Sequence, residues 1–320
     1  MDAAVHHLTA QVDQFEPEIR EYVTYALDSQ GKHLRPALVA LSGMATGAVN
    51  EGHVSAATIV EMVHLATLVH DDVMDEAQIR RSRPTLAAQW GAHLAVLVGD
   101  CLFAQALRLA ALFPTPAVCR AVSTATNTVC SGEILQDRNA GNFDISRADY
   151  FRVIQMKTGE LFALSSELGG LLNSSSDAVQ KALRRYGMAL GTAYQIYDDC
   201  LDLFGVEGLA GKTLGSDLAK GKATLPVLLM LERASAPQRI ELKARLSAWE
   251  PRDMPQLRDQ LEHHHALQGS VEVLEQWLQE CRLALSELPD SAGRKSLLEL
   301  TTFLTSQVLL LAETSRVPAA

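Results

Sequence analysis

Apolar residues recur every three or four positions along most of this chain, which is the spacing that one face of an α-helix requires. Clear examples are Val12, Phe15, Ile19, Tyr22 and Val23; Leu183, Tyr186, Leu190, Ala193, Ile196 and Tyr197; and Val271, Leu274, Leu278 and Leu285. We find no convincing run in which apolar and polar residues alternate as they do in a half-buried strand. The pattern therefore predicts an all-α fold.

Turn-forming residues interrupt the helical pattern at several points. The interruptions are residues 47–52, 114–116, 139–142, 173–177, 205–215, 234–237 and 289–293. Ser176 followed by Asp177 is typical of the start of a helix. Because no interruption is long enough to be a flexible linker, we predict one domain over residues 1–320. Its motif-bearing core is expected over about residues 20–230, with outer packing helices over about 231–320.

The composition is that of a globular protein, with 48% hydrophobic and 21% charged residues, which excludes a disordered chain. The 38 acidic and 28 basic residues give a net charge of −10, which disfavours a general nucleic-acid-binding protein. Five cysteines without a CxxC pair are typical of a reducing compartment. The first residues resemble no secretory signal. We therefore expect a cytoplasmic protein.

The most apolar stretch, residues 92–113, is long enough to cross a membrane. It contains Asp100 and Arg108, however, and such charges are rare in membrane spans. We therefore predict a helix buried inside a soluble protein. The same stretch could also supply a helical interface with a second copy of the chain.

Three carboxylates follow the apolar segment Leu65–Val69, namely Asp71, Asp72 and Asp75. On a helix, Asp71 and Asp75 share a face, and carboxylates this close repel one another. A fold retains such a cluster when a cation neutralises it, and oxygen ligands of this kind suit Mg²⁺. The alternative for a single acidic triplet is a solvated helix face.

A second cluster, Asp198, Asp199 and Asp202, repeats the same spacing after another apolar segment. A solvated acidic face is not expected directly after such segments. Two clusters facing each other across a helical bundle would bind several metal ions and a polyphosphate. Neither cluster has the loop pattern of an EF-hand.

Basic residues that could bind a diphosphate occur in compact groups. They are Lys32 and Arg35; Arg80, Arg81 and Arg83; and Lys157, Lys212 and Lys222. Arginine suits bidentate phosphate contacts, whereas lysine acts as a point charge. Each group alone resembles ordinary surface charge, but in combination with the two acidic clusters they predict a diphosphate site.

At this point the chain resembles a known family, the trans-isoprenyl diphosphate synthases or polyprenyl synthetases, and within it the long-chain octaprenyl and hexaprenyl types. The resemblance covers about residues 20–230, with its motifs in the family's order. They are Gly31-Lys32-x-Leu34-Arg35-Pro36, Glu61-x-x-His64, Asp71 to Asp75 with Arg80-Arg81, Val98-Gly99-Asp100, Gly132-Glu133-x-x-Gln136, Lys157-Thr158, Gln195-x-x-Asp198-Asp199-x-x-Asp202 and Gly211-Lys212-x-x-Gly215-x-Asp217-Leu218-x-x-Gly221-Lys222-x-Thr224-Leu225-Pro226.

The sequence departs from the family pattern at four positions. His33 replaces a usual Arg or Lys, Ser82 a usual Gly, Tyr194 a usual Phe and Gly159 a usual Ala. None of these changes removes a candidate metal ligand or a candidate phosphate-binding cation.

The resemblance implies the isoprenoid synthase fold, one large helical bundle around a central active-site cavity. It also implies a prenyltransferase of isoprenoid biosynthesis, which condenses isopentenyl diphosphate head-to-tail with an allylic diphosphate to an all-trans polyprenyl diphosphate. More than one Mg²⁺ is expected to bind with the allylic diphosphate, and the family is usually homodimeric.

The resemblance further assigns a role to each candidate residue. The metal ligands are Asp71, Asp75 and Asp198, with Asp72, Asp199 and Asp202 completing the shell. The allylic diphosphate is assigned to Arg80, Lys157, Lys212 and Lys222, and isopentenyl diphosphate to Lys32, Arg35, His64 and Arg81. The side chains of Thr158 and Gln195 are expected to face the developing carbocation.

Product length is expected to depend on the residues one turn before Asp71, where Ala66 and Thr67 are both small. In this family an aromatic residue there gives short products, and Phe103 could form part of a floor. We therefore predict products longer than farnesyl, of hexaprenyl to octaprenyl length, with geranylgeranyl as the main alternative. A class I terpene cyclase and a non-catalytic regulatory subunit are weaker alternatives.

Overall fold

The computed structural model describes residues 2–28, 31–205 and 214–314. The α-helices of the described residues are α1 Asp2–Ala10, α2 Arg20–Leu27, α3 Leu34–Thr46, α4 Glu51–Met74, α5 Leu86–Trp90, α6 Ala92–Ala111, α7 Ala117–Arg138, α8 Arg147–Ile154, α9 Glu160–Leu171, α10 Asp177–Phe204, α11 Ser216–Ala219, α12 Leu225–Arg233, α13 Ala236–Ser247, α14 Met254–His263, α15 Ala266–Ser286 and α16 Ala292–Thr314. This content confirms the all-α prediction.

Most of the predicted helix boundaries are also confirmed. Helix α10 begins at Asp177, where the backbone N–H of Val179 donates to the Ser176 hydroxyl. The other predicted interruptions lie at junctions between helices, except residues 205–215, which are mostly outside the described residues. The Leu274, Leu278 and Leu285 side chains are buried, as the period of helix α15 predicts.

Two short segments differ from the sequence prediction. The run Val12 to Val23 is not one helix, because 3₁₀ turns occupy Gln11–Gln14 and Pro17–Ile19 before α2 begins. Proline fixes its own φ and lacks an N–H, so it suits the first position of a helical segment and not its interior. The second is a two-residue pairing without an alternating pattern, in which Ile79–Arg80 (β1) pairs with Arg83–Pro84 (β2).

Contacts divide the described chain into two compact units, each assembled from three stretches of sequence. Unit 1 comprises Met1–Asn127, Leu161–Gly187 and Ala284–Leu297, and unit 2 comprises Thr128–Glu160, Met188–Leu283 and Leu298–Ala320. The single domain over residues 1–320 stays a prediction.

Helix α4 is the centre of unit 1, where it packs against α1, α3 and α6. Its N-terminus is stabilised by a capping box, in which Asn50 and His53 exchange hydrogen bonds. Near its other end the His70 ring lies directly on α6. A Cβ atom at Gly99 would lie 2.2 Å from the His70 Nε2 atom, so only glycine permits this approach. This contact explains why glycine follows Val98 in the Val98-Gly99-Asp100 motif.

Unit 2 contains the second half of α10 and helices α11 to α15. Its core is aliphatic and fully buried at positions that repeat with the helical period, as at Leu228, Leu231, Leu261 and Leu278. These helices hold the second aspartate cluster on a rigid element. The more polar sequence after residue 231 therefore still forms well-packed helices.

Two described helices, α4 and α6, are long and apolar enough to cross a membrane by length and composition alone. Within the most apolar 18-residue segment of each helix, 67% is buried in α4 and 39% in α6. Helix α6 thus buries one face, including Val98 and Leu102, and exposes Val96 and Leu97. The helix predicted over residues 92–113 is confirmed over Ala92–Ala111, but its burial is limited to one face of the helix. Core helices pass the same test, so this observation is weak evidence for a membrane protein.

Candidate active site

The accessible side of α4 carries the first aspartate cluster. His64, Thr67, Asp71 and Asp75 are all partly exposed and are spaced by three or four residues, so they form one stripe along the helix. The intervening Asp72 is different, because it is only 6% exposed. The three carboxylates therefore occupy two distinct environments, although they are neighbours in sequence.

Asp72 is held by an ion pair rather than facing the accessible side. The Nε atom of Arg80 donates to Asp72 Oδ1 at 2.7 Å, a charge-assisted hydrogen bond. Arg80 belongs to a two-residue hairpin whose central residues, Arg81 and Ser82, both have positive φ angles of 51° and 63°. Such turns favour glycine, so Ser82 takes a backbone conformation that residues with a side chain rarely adopt. The hairpin thereby gives two adjacent arginines different neighbours, Asp72 for Arg80 and the Gly31 backbone for Arg81.

The Lys32–Arg35 segment lies in the same unit and begins α3. His33 has a left-handed backbone with a φ of 46°, and its Nδ1 atom lies 3.0 Å from Glu61 Oε1 of α4. The guanidinium of Arg81 also packs here, 3.0 Å from the position that a Cβ of Gly31 would occupy. The structure thus brings Lys32, Arg35 and Arg81 into one basic region.

Arg35 and His64 differ sharply in charge within this region. The Arg35 guanidinium lies 4.9 Å from the ring centre of Phe162, a cation–π contact that fixes its position. Burial, together with the positive charges of Arg35, Arg81 and Arg80, holds the pKa of His64 well below its usual value. His64 is therefore neutral at pH 7 and can contribute a hydrogen bond to an anion, but not a full charge.

The His33–Glu61 pair gives a testable pH dependence of stability. The hydrogen bond that His33 donates to Glu61 raises the pKa of His33 above its ordinary value of 6.5, although desolvation and Arg81 oppose the shift. The pair therefore stabilises the fold fully below pH 6.5, and this contribution is lost as the pH rises through the raised pKa. The Tm advantage of the wild type over His33→Gln should therefore be constant below pH 6.5 and should shrink as the pH rises above it, through the raised pKa of His33.

Glu61→Gln serves as the matched variant, because it removes the other half of the same pair. Its Tm difference from the wild type should shrink over the same pH interval, and the double variant His33→Gln/Glu61→Gln should show little further pH dependence. A Tm difference that stays constant with pH for either single variant would contradict the ion pair.

In unit 2, the Lys157-Thr158 motif lies in a π-helical turn, Gln155–Gly159, that interrupts two α-helices. Such turns are frequent at functional sites because they redirect side chains. A Cβ at Gly132 would lie 2.9 Å from the Lys157 backbone nitrogen, so glycine permits α7 to approach this turn. Lys157 Nζ then contacts Glu133 Oε2 at 2.5 Å and donates to Gln136 Oε1 at 2.9 Å. The Gly132-Glu133-x-x-Gln136 motif thereby positions Lys157.

The second aspartate cluster also divides by burial. Asp198 is partly exposed, whereas Asp199 is 3% and Asp202 is 0% exposed. Both oxygens of Asp199 accept hydrogen bonds, from the Tyr150 hydroxyl at 2.6 Å and from Gln195 Nε2 at 2.8 Å. Burial raises the pKa of Asp199 well above its usual range, and these two hydrogen bonds act against the shift.

Asp202 organises the turn that follows α10. Its oxygens accept hydrogen bonds from the Ser216 backbone N–H and hydroxyl and from the Asp217 backbone N–H, at 2.9 to 3.3 Å. This turn leads to Lys222, whose Nζ atom lies 3.8 Å from Asp217 Oδ1. Asp202 therefore holds the turn that leads to Lys222, in addition to its predicted role as a ligand. Lys212 lies outside the described residues.

The candidate chain-length residues do not share one environment. Thr67 lies on the accessible stripe of α4 and donates a hydrogen bond to His64 O at 2.7 Å. Ala66 is 0% exposed, and its side chain belongs to the packed interior of unit 1. Phe103 of α6 is partly exposed and lies 5.6 Å from the His70 ring, between ring centres. Thr67 is therefore the residue that shares a face with Asp71.

Sequence reasoning missed two functional features of these units. Tyr150, which contacts Asp199, lies outside every motif that we singled out, and only the packing of α8 places it there. Glu61 was noted as part of a motif but received no role, although it anchors His33. Among the described residues, no three His, Cys, Asp or Glu side chains form a ready-made metal site. Several carboxylates are engaged with protein donors instead.

Comparison with known proteins now identifies the family. The polyprenyl synthetase family model matches residues 16–262. The octaprenyl diphosphate synthase of Haemophilus influenzae is 32% identical over 301 residues, covering 94% of this chain and 92% of that protein. The decaprenyl diphosphate synthase structure from Rhodobacter capsulatus superposes with a TM-score of 0.89 at 33% identity, covering 96% of this chain and 95% of that one.

A further solved structure is a polyprenyl synthase from Caulobacter crescentus CB15 in complex with calcium and isoprenyl diphosphate. It has a TM-score of 0.88 and 34% identity, and the alignment covers 95% of this chain and 94% of that one. This chain belongs to the polyprenyl synthetase family. The predicted isoprenoid synthase fold and the predicted enzyme class, a trans-polyprenyl diphosphate synthase, are thereby confirmed. The family consists of metal-dependent prenyl synthases that use an allylic diphosphate and isopentenyl diphosphate.

Proposed function

We propose that this chain is a long-chain trans-prenyltransferase that adds isopentenyl diphosphate repeatedly to an allylic diphosphate. Within its family, the observation that carries this proposal is the separation of the aspartates by environment. Asp71, Asp75 and Asp198 remain accessible, while Asp72, Asp199 and Asp202 are buried and hydrogen-bonded. The accessible set offers oxygen donors for metal ions, whereas the buried Asp72 holds Arg80 and the buried Asp202 holds the turn that leads to Lys222.

Divalent metal fits the accessible aspartates, because carboxylate oxygens are the ligands that Mg²⁺ prefers. Asp71, Asp75 and Asp198 would bind more than one Mg²⁺ together with the allylic diphosphate. When bound, Mg²⁺ supplies positive charge to the diphosphate oxygens as the allylic C–O bond breaks. Asp72 contributes by keeping Arg80 in position, since their ion pair fixes the guanidinium that binds the same diphosphate.

The basic residues of the chain form two groups, one for each substrate. Lys32, Arg35 and Arg81 would bind the diphosphate of isopentenyl diphosphate, with neutral His64 donating a hydrogen bond. Arg80, Lys157 and Lys222, together with Lys212, would bind the allylic diphosphate. Thr158 and Gln195 present oxygen atoms that stabilise the developing carbocation.

Lys32→Ala is expected to raise the KM for isopentenyl diphosphate by tenfold or more, because one charge-assisted phosphate contact is worth about 1.5–3 kcal/mol. Lys222→Ala should instead raise the KM for the allylic diphosphate. Steady-state kinetics with each substrate varied in turn measures the split. Lys181→Ala, an exposed lysine on α10, should change neither constant. An effect of Lys32→Ala on the allylic KM alone would mean that the two sites are exchanged.

The product is proposed to be longer than farnesyl, in the hexaprenyl to octaprenyl range. The small Thr67 side chain on the face of Asp71 supports this length, since it leaves room for a growing chain. Purified protein should be incubated with labelled isopentenyl diphosphate and with dimethylallyl, geranyl or farnesyl diphosphate, followed by reversed-phase chromatography. Geranylgeranyl as the only product would support the shorter alternative.

The same assay separates the two remaining alternatives. A class I terpene cyclase would release hydrocarbon without incorporating labelled isopentenyl diphosphate, and a regulatory subunit would give no turnover as the purified chain. The chain has candidate basic residues for the allylic diphosphate and for isopentenyl diphosphate, which favours the synthase. We further propose that the enzyme works as a homodimer in the cytoplasm, and size-exclusion chromatography with light scattering tests the dimer.

A further inference from the structure

Tyr150 is a buried tyrosine whose hydroxyl is committed to one acceptor. The residue is 4% exposed, and its hydroxyl donates to Asp199 Oδ2 at 2.6 Å, a distance typical of a hydrogen bond to a carboxylate. Burial and the negative charge of Asp199 raise the pKa of Tyr150 well above its usual value. The phenol therefore keeps its proton and acts as a donor.

The other oxygen of Asp199 fixes the amide of Gln195. Gln195 Nε2 donates to Asp199 Oδ1 at 2.8 Å, and Gln195 Oε1 accepts from the Thr158 hydroxyl, also at 2.8 Å. A glutamine amide has one donor end and one acceptor end. A reversed amide would replace this N–H···O hydrogen bond by a contact between two oxygen atoms. The carboxylate thus determines which end of Gln195 faces Thr158.

These contacts form a directed chain from Tyr150 through Asp199 and Gln195 to Thr158. Without the tyrosine hydroxyl, the Asp199 carboxylate would lose one of its two anchors and could rotate about its own side-chain bond. Loss of the hydroxyl would also leave a buried oxygen of Asp199 without its hydrogen-bond donor, which lowers the stability of the fold. Gln195 would then be held less firmly, although no residue that contacts the substrates had changed.

We propose that Tyr150 is a positioning residue for the condensation, which holds Asp199 so that the amide oxygen of Gln195 faces Thr158 and the developing carbocation. This inference rests on the proposed function, because the carbocation belongs to that reaction. It also assigns Asp199 to the positioning of Gln195 and not to the metal. Tyr150 acts through Asp199 and Gln195 and does not itself contact either substrate.

The test compares Tyr150→Phe with Tyr186→Phe. Tyr186 is a matched control, because it is fully buried and its hydroxyl donates to Leu297 O at 2.8 Å, outside the aspartate clusters. Both variants lose one buried hydroxyl hydrogen bond, so both should lower Tm. Tyr150→Phe should also lower kcat about tenfold or more, with both KM values and the half-activating Mg²⁺ concentration within about twofold of wild type. Tyr186→Phe should retain the wild-type kcat.

Two results would overturn the inference. One is a kcat for Tyr150→Phe that equals that of Tyr186→Phe, and the other is a loss that higher Mg²⁺ restores, which would assign Asp199 to the metal. If the wild type incorporates no isopentenyl diphosphate with any allylic primer, it is the proposed function that fails. An active wild type with an unaffected Tyr150→Phe defeats only the role of Tyr150.

Asp199→Asn is a second variant that tests the same proposal. It becomes the decisive variant if circular dichroism shows that Tyr150→Phe is unfolded. An asparagine whose oxygen accepts from Tyr150 turns its NH₂ group toward Gln195, which reverses the glutamine amide. This variant should also lose kcat about tenfold or more without a change in Mg²⁺ dependence. The double variant should lose no more than the worse single variant, because both act through Gln195. Additive losses would contradict the chain of contacts.

Discussion

Asp71→Ala and Asp198→Ala should each lower kcat by roughly 10²- to 10³-fold or more, which is the loss expected when a transition state loses fixed charge stabilisation. Both side chains are accessible members of their clusters, so their removal should lower kcat and leave Tm unchanged. Stopped assays of labelled isopentenyl diphosphate incorporation measure kcat, and thermal melts measure Tm. Chelation of divalent metal should abolish turnover by the wild type, and added Mg²⁺ should restore it.

The buried aspartates provide the contrasting result. Asp72→Ala removes the partner of Arg80, and Asp202→Ala removes the acceptor for Ser216, so both should lower Tm as well as kcat. Asp259→Ala on the exposed face of α14 is the matched control and should leave both quantities unchanged. Near-normal activity of Asp71→Ala or Asp198→Ala would contradict the assignment of the two clusters.

Thr67→Phe should shorten the product sharply while leaving the first condensation intact. The side chain lies on the accessible stripe of α4, one turn before Asp71, so an aromatic ring there would block chain growth. Ala66→Phe should also shorten the product, but with a loss of stability, because Ala66 is fully buried and overpacking costs about 1–3 kcal/mol. Chromatography of the products with a geranyl primer gives the length distribution, and Tm separates the two effects.

Thr67→Val isolates bulk from polarity, because it removes the hydroxyl that donates to His64 without adding volume. Its product distribution should match that of the wild type. An exposed aromatic, as in Ile240→Phe on α13, should likewise leave the product length unchanged. If Thr67→Phe gives wild-type product lengths, the growing chain does not pass this face of α4, although the synthase assignment could stand.

The helical class, most helix boundaries and the family follow from the amino-acid sequence. Helical periodicity is a local property, and the motifs from Lys32 to Lys222 place the candidate chemistry in order along the chain. The same local rules failed at Pro17 and at the Arg81–Ser82 turn, where a 3₁₀ segment and a hairpin replace regular helix or loop. A short hairpin of this kind carries too few residues for an alternating pattern to be visible.

Which of two neighbouring carboxylates is accessible and which is buried depends on tertiary packing. Asp71 and Asp72 are adjacent and chemically identical, yet one is accessible and the other is paired with Arg80. Burial and pairing depend on what distant segments place against a side chain, and spacing along a helix carries no such information. The same reason explains why His64 is neutral among arginines and why Tyr150 holds Asp199: both depend on residues far away in sequence.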